Sequence, residues 1–161
     1  MLSLSLREGI PKIVAAKFRR AQMLYFLAWL YGDLIKAGEL VALTTLELAL
    51  KDRYGGNVEA KDRYRDGTPK FPALVECLIR DGLTDDKIPL VRRCGGSVIP
   101  LLNGDRKPSL VEIRNGQAHG DPFDGFPWAG LLELVRDLIE YPYRDMVPTL
   151  GKTGQGWGTL T

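Results

Sequence analysis

From Val14 to Ile35 the chain contains no proline, and Phe18, Ala21, Leu24, Ala28, Tyr31 and Ile35 recur at the three- and four-residue spacing of one helix face. The spacing predicts a long helix. Met23, Tyr25, Phe26, Leu27, Trp29 and Leu30 add apolar surface around the rest of its circumference. Such a helix is either the centre of a bundle or the contact with a second subunit. It is not read as a membrane span: its uncharged part lies between Arg20 and Asp33, about a dozen residues where about twenty are needed. The opening "MLSLSLREGIPK" lacks the order and cleavage site of a secretory signal. We therefore expect a protein with no membrane partner.

A break is expected near Gly38. The stretch "LVALTTLELALKDRY" then continues as good helix formers up to Gly55 and Gly56. Residues 55–69 read as a charged, glycine-bearing loop, and the second "KDRY" at Lys61 is too short to establish a repeat. "FPALVECLIRDG" reads as a short helix with Pro72 in its first turn and Gly82 after its end. Residues 83–107 show no clear period and are expected to be irregular. A final helix is predicted with Pro127 at its first position, Trp128, Leu131, Leu132, Val135, Leu138 and Ile139 on its apolar face, and Pro142 ending it. The class is all-α, an up-and-down bundle of four to five helices in one domain over residues 1–147. A Gly/Thr-rich tail follows over 148–161.

Charge narrows the function. With 22 basic and 20 acidic side chains the formal charge is +2, too small a field to hold a polyanion unaided. Cys77 and Cys94 have no C-x-x-C spacing and do not pair with the single histidine, which argues against zinc and fits a reduced, cytoplasmic protein. No cofactor motif is present.

The most informative stretch is "SLVEIRNGQAHG". Ser109 and Glu112 fit a capping box, so a helix begins near Leu110, and Gly120 with Asp121 and Pro122 supplies the stop. At about 100° per residue, Leu110, Val111, Ile113 and Ala118 share a broad face, whereas Asn115 and His119 lie together on the other side. A core histidine would project with the apolar set. Arg114 projects among the apolar positions, so its guanidinium must leave the core, meet a carboxylate or reach a phosphate. Glu47 is a candidate partner. Gly116 costs helix stability unless another backbone or a ligand approaches closely. Arg106 and Lys107 precede this helix and could add positive potential. Lys61, Arg63 and Arg65, interspersed with acids, read as a solvated loop.

"IRNGQAHG" resembles the R-N-x-x-x-H signature of the HEPN family (higher eukaryotes and prokaryotes nucleotide-binding domain), which places the signature on a late helix of an all-α bundle. The resemblance covers roughly Ala16 to Tyr143, but the sharp match is confined to the signature. It implies a metal-independent endoribonuclease, a toxin or defence effector, acting as a homodimer. In it Arg114 contacts phosphate, Asn115 orients the site and His119 transfers protons. It implies RNA as substrate and an antitoxin or nucleotidyltransferase as partner. The chemistry suits these residue types: attack by a ribose 2′-hydroxyl needs a base, an acid and positive charge on the phosphoryl oxygens. One chain holds one histidine, so a twofold dimer would supply the second. The alternatives are an inactive nucleotide-binding or protein-interaction module of the same family, and a helical interaction domain unrelated to it. Residues 83–107 and the tail have no place in the minimal bundle and could cover the site.

Overall fold

The computed structural model describes residues 4–120 and 127–146. Within them the chain forms seven α-helices: α1 (Lys12–Leu27), α2 (Leu34–Tyr54), α3 (Phe71–Arg80), α4 (Pro89–Cys94), α5 (Ile99–Asn103), α6 (Leu110–His119) and α7 (Leu131–Glu140). There is no strand among the described residues; one isolated antiparallel bridge joins Arg63 to Pro69. The chain is all-α, and five of its helices have ten residues or more. The tail at 148–161 and the stop at Asp121 and Pro122 lie outside the described residues.

The central element is α2, which packs against α1, α3, α6 and α7. Ala42, Leu43, Leu46, Ala49 and Leu50 have no exposed surface, and Phe18, Leu74, Leu78, Leu110, Leu138 and Ile139 close around them. Burying each large apolar side chain contributes about 1.5–3 kcal/mol.

The expected single helix over 14–35 is instead a helical hairpin. Val14, Phe18 and Ala21 are buried, but after Leu27 no core remains for the next side chains to face. Backbone bonding changes to the tighter i−3 pattern there, with Trp29 N–H donating to Phe26 and Leu30 N–H to Leu27. The chain reverses over Ala28–Asp33 and α2 returns along α1. Gly38 is therefore not a break. It is buried inside α2 against α1, where a Cβ would stand 2.7 Å from Tyr25 Cδ2 and 3.3 Å from Leu24 Cβ. Much of the apolar excess expected around this helix stays uncovered among the described residues: Met23 and Phe26 of α1, and Trp29, Leu30 and Tyr31 beyond it, are exposed.

Residues 83–107, expected to be irregular, contain α4 and α5. Both are too short to show a period, and both are held by distant carboxylates. Asp137 of α7, only 5% exposed, accepts from Leu90 N–H at 2.7 Å. Asp85 accepts from Val98 N–H at 2.8 Å and Ile99 N–H at 3.3 Å. Helix α7 begins at Leu131, four positions later than Pro127, because Gly130 adopts φ +79° at its N-terminus. Its buried face holds Leu131, Val135, Leu138 and Ile139 as expected, with Leu134 beside them, and a 3₁₀ turn over Tyr141–Tyr143 contains Pro142.

Gly38→Val should lower the stability of the chain by about 1–3 kcal/mol in urea unfolding, because the larger side chain must displace Tyr25 and a β-branched residue returns little helix propensity. An unchanged midpoint would mean that the α1–α2 contact is looser than described.

Candidate functional site

Helix α6 starts as its sequence dictates. Ser109 Oγ accepts from Glu112 N–H at 3.2 Å while Glu112 accepts from Ser109 N–H at 2.8 Å, which completes the capping box. The Lys107 ammonium, 2.6 Å from Glu112, and then the Ser109 amide hold the Glu112 carboxyl down at about 2, against the usual 4.5. Lys107 is thus engaged at the N-terminal end of α6, away from the histidine. At the other end Gly120 takes φ +72° and its N–H bonds to the Gly116 carbonyl, closing the helix directly after His119.

Of the apolar face expected for α6, Leu110 and Ile113 are buried and Val111 half-buried, but Ala118 is exposed. The helix is held to α2 by polar contacts instead. Arg114 Nη2 donates to Glu47, the candidate partner, in an ion pair whose side chains are each 21% exposed. Arg114 Nη1 donates to Asn115 Oδ1 at 3.0 Å, and the guanidinium lies 6.0 Å from the centre of the Phe71 ring. Arg114 and Asn115 are therefore in contact with each other. His119, the last residue of α6, is exposed. It is not part of the core.

A second contact was not foreseen. Glu39 of α2 is fully buried and accepts from Gln117 Nε2 at 2.9 Å, from Trp128 backbone N–H at 2.7 Å and from Lys36 Nζ at 3.2 Å. Withdrawing a carboxylate from water costs several kcal/mol, which these donors offset. Tyr25 packs nearby, and burial followed by the Glu39 charge pushes its hydroxyl well above the usual phenol range. The Tyr25 hydroxyl, Arg114 Nε and Gln117 Oε1 are buried without hydrogen-bond partners among the described residues. All three belong to the junction of α1, α2 and α6.

The order of these ties fixes direction. Arg114 meets position 47 of α2 and Gln117 meets position 39, so α6 runs antiparallel to α2. Its C-terminal end, with His119, lies where α2 begins. Because Gln117 and Trp128 precede and follow His119 in sequence, one carboxylate fixes the chain on both sides of it. The restrained guanidinium contacts Glu47 and Asn115, whereas the exposed imidazole lies about one turn and a half farther along and about 140° around the same helix, so the two do not share one face of α6. Among the described residues no group of three His, Cys, Asp or Glu gathers as a metal ion would require. Arg63 is tied to the carbonyls of Val58, Gly67 and Gly55, and Lys61 pairs with Glu59, so neither is directed to this site.

Glu39→Leu should cost about 2–6 kcal/mol by leaving the Gln117 amide and the Trp128 backbone N–H without their acceptor. Glu47→Leu should cost less, since its pair retains solvent contact. Chemical denaturation of both variants checks the order, and a larger loss at Glu47 would contradict it. The capping box makes a separate prediction. With Glu112 held below its usual value, the contribution is complete above about pH 4.5 and is lost as pH falls toward 2. Glu112→Gln should remove this part of the acid sensitivity, read as the pH dependence of the melting temperature.

Comparison with family models, with curated proteins and with solved structures finds no match, so the reading of this site rests on its own chemistry.

Proposed function

We propose that the chain is a HEPN-like, metal-independent endoribonuclease, a toxin or defence effector that works as a homodimer. The observation that carries this reading is the composition of α6: a guanidinium restrained by Glu47 and Asn115, with the chain's single imidazole exposed at the end of the same helix. In the proposed reaction His119 of one protomer takes the proton of a ribose 2′-hydroxyl as its oxygen attacks the adjacent phosphorus. The bond from phosphorus to the 5′-oxygen breaks, and His119 of the partner subunit protonates that leaving oxygen. The products are a 2′,3′-cyclic phosphate and a 5′-hydroxyl. Arg114 stabilises the charge that develops on the phosphoryl oxygens. Two of its donors are already engaged by Glu47 and Asn115, which restrains its fork and leaves further N–H groups for phosphate. DNA lacks the attacking hydroxyl and should resist cleavage.

One observation favours a second reading. Both hydrogen bonds of the Arg114 guanidinium are directed to this chain's own side chains, as suits a structural tie in an inactive nucleotide-binding or protein-interaction module. The readings separate by the pattern of losses. In the nuclease, His119→Ala leaves stability within about 0.5 kcal/mol while cleavage of single-stranded RNA in excess chelator falls about 10²–10⁴-fold. Arg114→Lys, which keeps a charge but not the fork, also loses cleavage. Equal background cleavage in wild type and both variants would overturn the nuclease reading and favour the module.

A further inference from the structure

The hairpin corner carries surface that neither the core nor the α6 site uses. Trp29 is 89% exposed, Leu30 75% and Tyr31 73%, with Phe26 and Met23 about half exposed on the adjoining turns of α1. This is not a loose loop. The N–H groups of Trp29, Leu30, Tyr31, Leu34 and Ile35 bond to carbonyls three or four residues back, so the apolar side chains stand on a hydrogen-bonded corner. Two aromatic rings kept in water on an ordered backbone are a preformed stacking surface.

The charge beside it is one-sided. Helix α1 contains Lys12, Lys17, Arg19 and Arg20 and no acid; Asp33 is the nearest carboxylate in the corner. None of these four cations makes an ion pair or side-chain hydrogen bond among the described residues, whereas Arg7, Arg80, Arg93, Arg136 and Arg144 all hold carboxylates. At about 100° per residue Lys12, Arg19, Met23, Phe26 and Leu27 fall on the side of α1 opposite Val14, Phe18 and Ala21. Cations followed by apolar side chains thus form one outward track, with about 10 Å of helix rise from Arg19 to Phe26.

The track leads to the end of the bundle that bears His119. The corner runs directly into the first turns of α2, where Glu39 holds Gln117, two residues before the histidine. We propose that this corner is a binding platform for single-stranded RNA, on which unpaired bases stack against Trp29 and Tyr31 while Arg19 and Arg20 meet the phosphates. Unpaired cations next to exposed rings match a backbone of phosphates carrying flat bases. A bilayer would satisfy the same groups, but would lie against the end that presents His119. A second copy would set cationic α1 against cationic α1. The identity of the strand rests on the ribonuclease reading; binding itself needs no cleavage.

The test is fluorescence anisotropy of the full chain with a labelled eight-nucleotide oligouridylate and with its 2′-deoxy counterpart, which cannot be cleaved by 2′-hydroxyl attack. Wild type should bind both. Trp29→Ala should bind the deoxy probe about five- to a hundred-fold more weakly, and Tyr31→Ser should weaken it in the same direction. Arg19→Glu with Arg20→Glu should weaken binding and flatten its salt dependence. All four substituted positions are exposed, so thermal melts should stay at the wild-type value. Trp29-dependent binding without any RNA cleavage would support the platform while removing the nuclease reading. The proposal is overturned by undiminished binding in Trp29→Ala, by Trp29-dependent sedimentation with phosphatidylserine vesicles in a protein that ignores both probes, or by Trp29→Ala converting a dimer to a monomer.

Discussion

A carboxylate with no exposed surface has to be surrounded by donors, and Glu39 draws its donors from Lys36, Gln117 and the backbone of Trp128. These come from its own helix, from the helix of the arginine and histidine, and from the segment that leads into α7. Apolar packing alone leaves helices free to slide by small amounts at modest cost. A buried charge does not, because displacement leaves both it and its donors unsatisfied. The Arg114–Glu47 pair adds a second fixed point along the same two helices. Together they set the direction and register of α6 on α2. That register puts the imidazole at the end of the bundle where the α1–α2 corner projects.

Polar fastening also explains why α6 departs from the usual amphipathic design. A ten-residue helix with only Leu110 and Ile113 buried has little apolar area to hold it in place. Its capping box, its glycine stop and its two ties to α2 carry that burden instead. Glu112, Ala118 and His119 stay exposed, and an exposed imidazole is what the proposed proton transfer requires. Arg114 is a fastening, and the phosphate contact proposed for it draws on a fork with more donors than one carboxylate can occupy.

Much of this was legible in the residues. The capping box at Ser109 and Glu112, the stop at Gly120, the short helix from Phe71 and the buried stripe of α7 follow from local rules and stand as read. Arg114 has three outlets in the sequence, solvent, a carboxylate or a phosphate, and only the fold shows that it meets Glu47, one candidate among them. Glu39 carries a signal in the sequence: it stands three, four, seven and eleven residues before Ala42, Leu43, Leu46 and Leu50, on the stripe that α2 buries. The hairpin is hidden in the sequence because Trp29, Leu30 and Tyr31 continue the apolar pattern beyond the last side chain of α1 that meets the core. Periodicity reports the side chains and not what they face. Gly38 reads as a break because close helix packing and chain termination use the same residue. Helices α4 and α5 depend on Asp137 and Asp85, and no window of five or six residues contains that information.

The chain contains one histidine, so its imidazole can be followed by itself in solution by NMR. Titration with a 2′-O-methyl dinucleotide, which binds as RNA but cannot be cleaved, addresses the central claim that the end of α6 receives a ribonucleotide backbone. The account predicts that the His119 ring resonances move and saturate, and that Arg114→Ala abolishes the movement. Ring resonances that stay fixed, while other signals report saturation by the same dinucleotide, would contradict it.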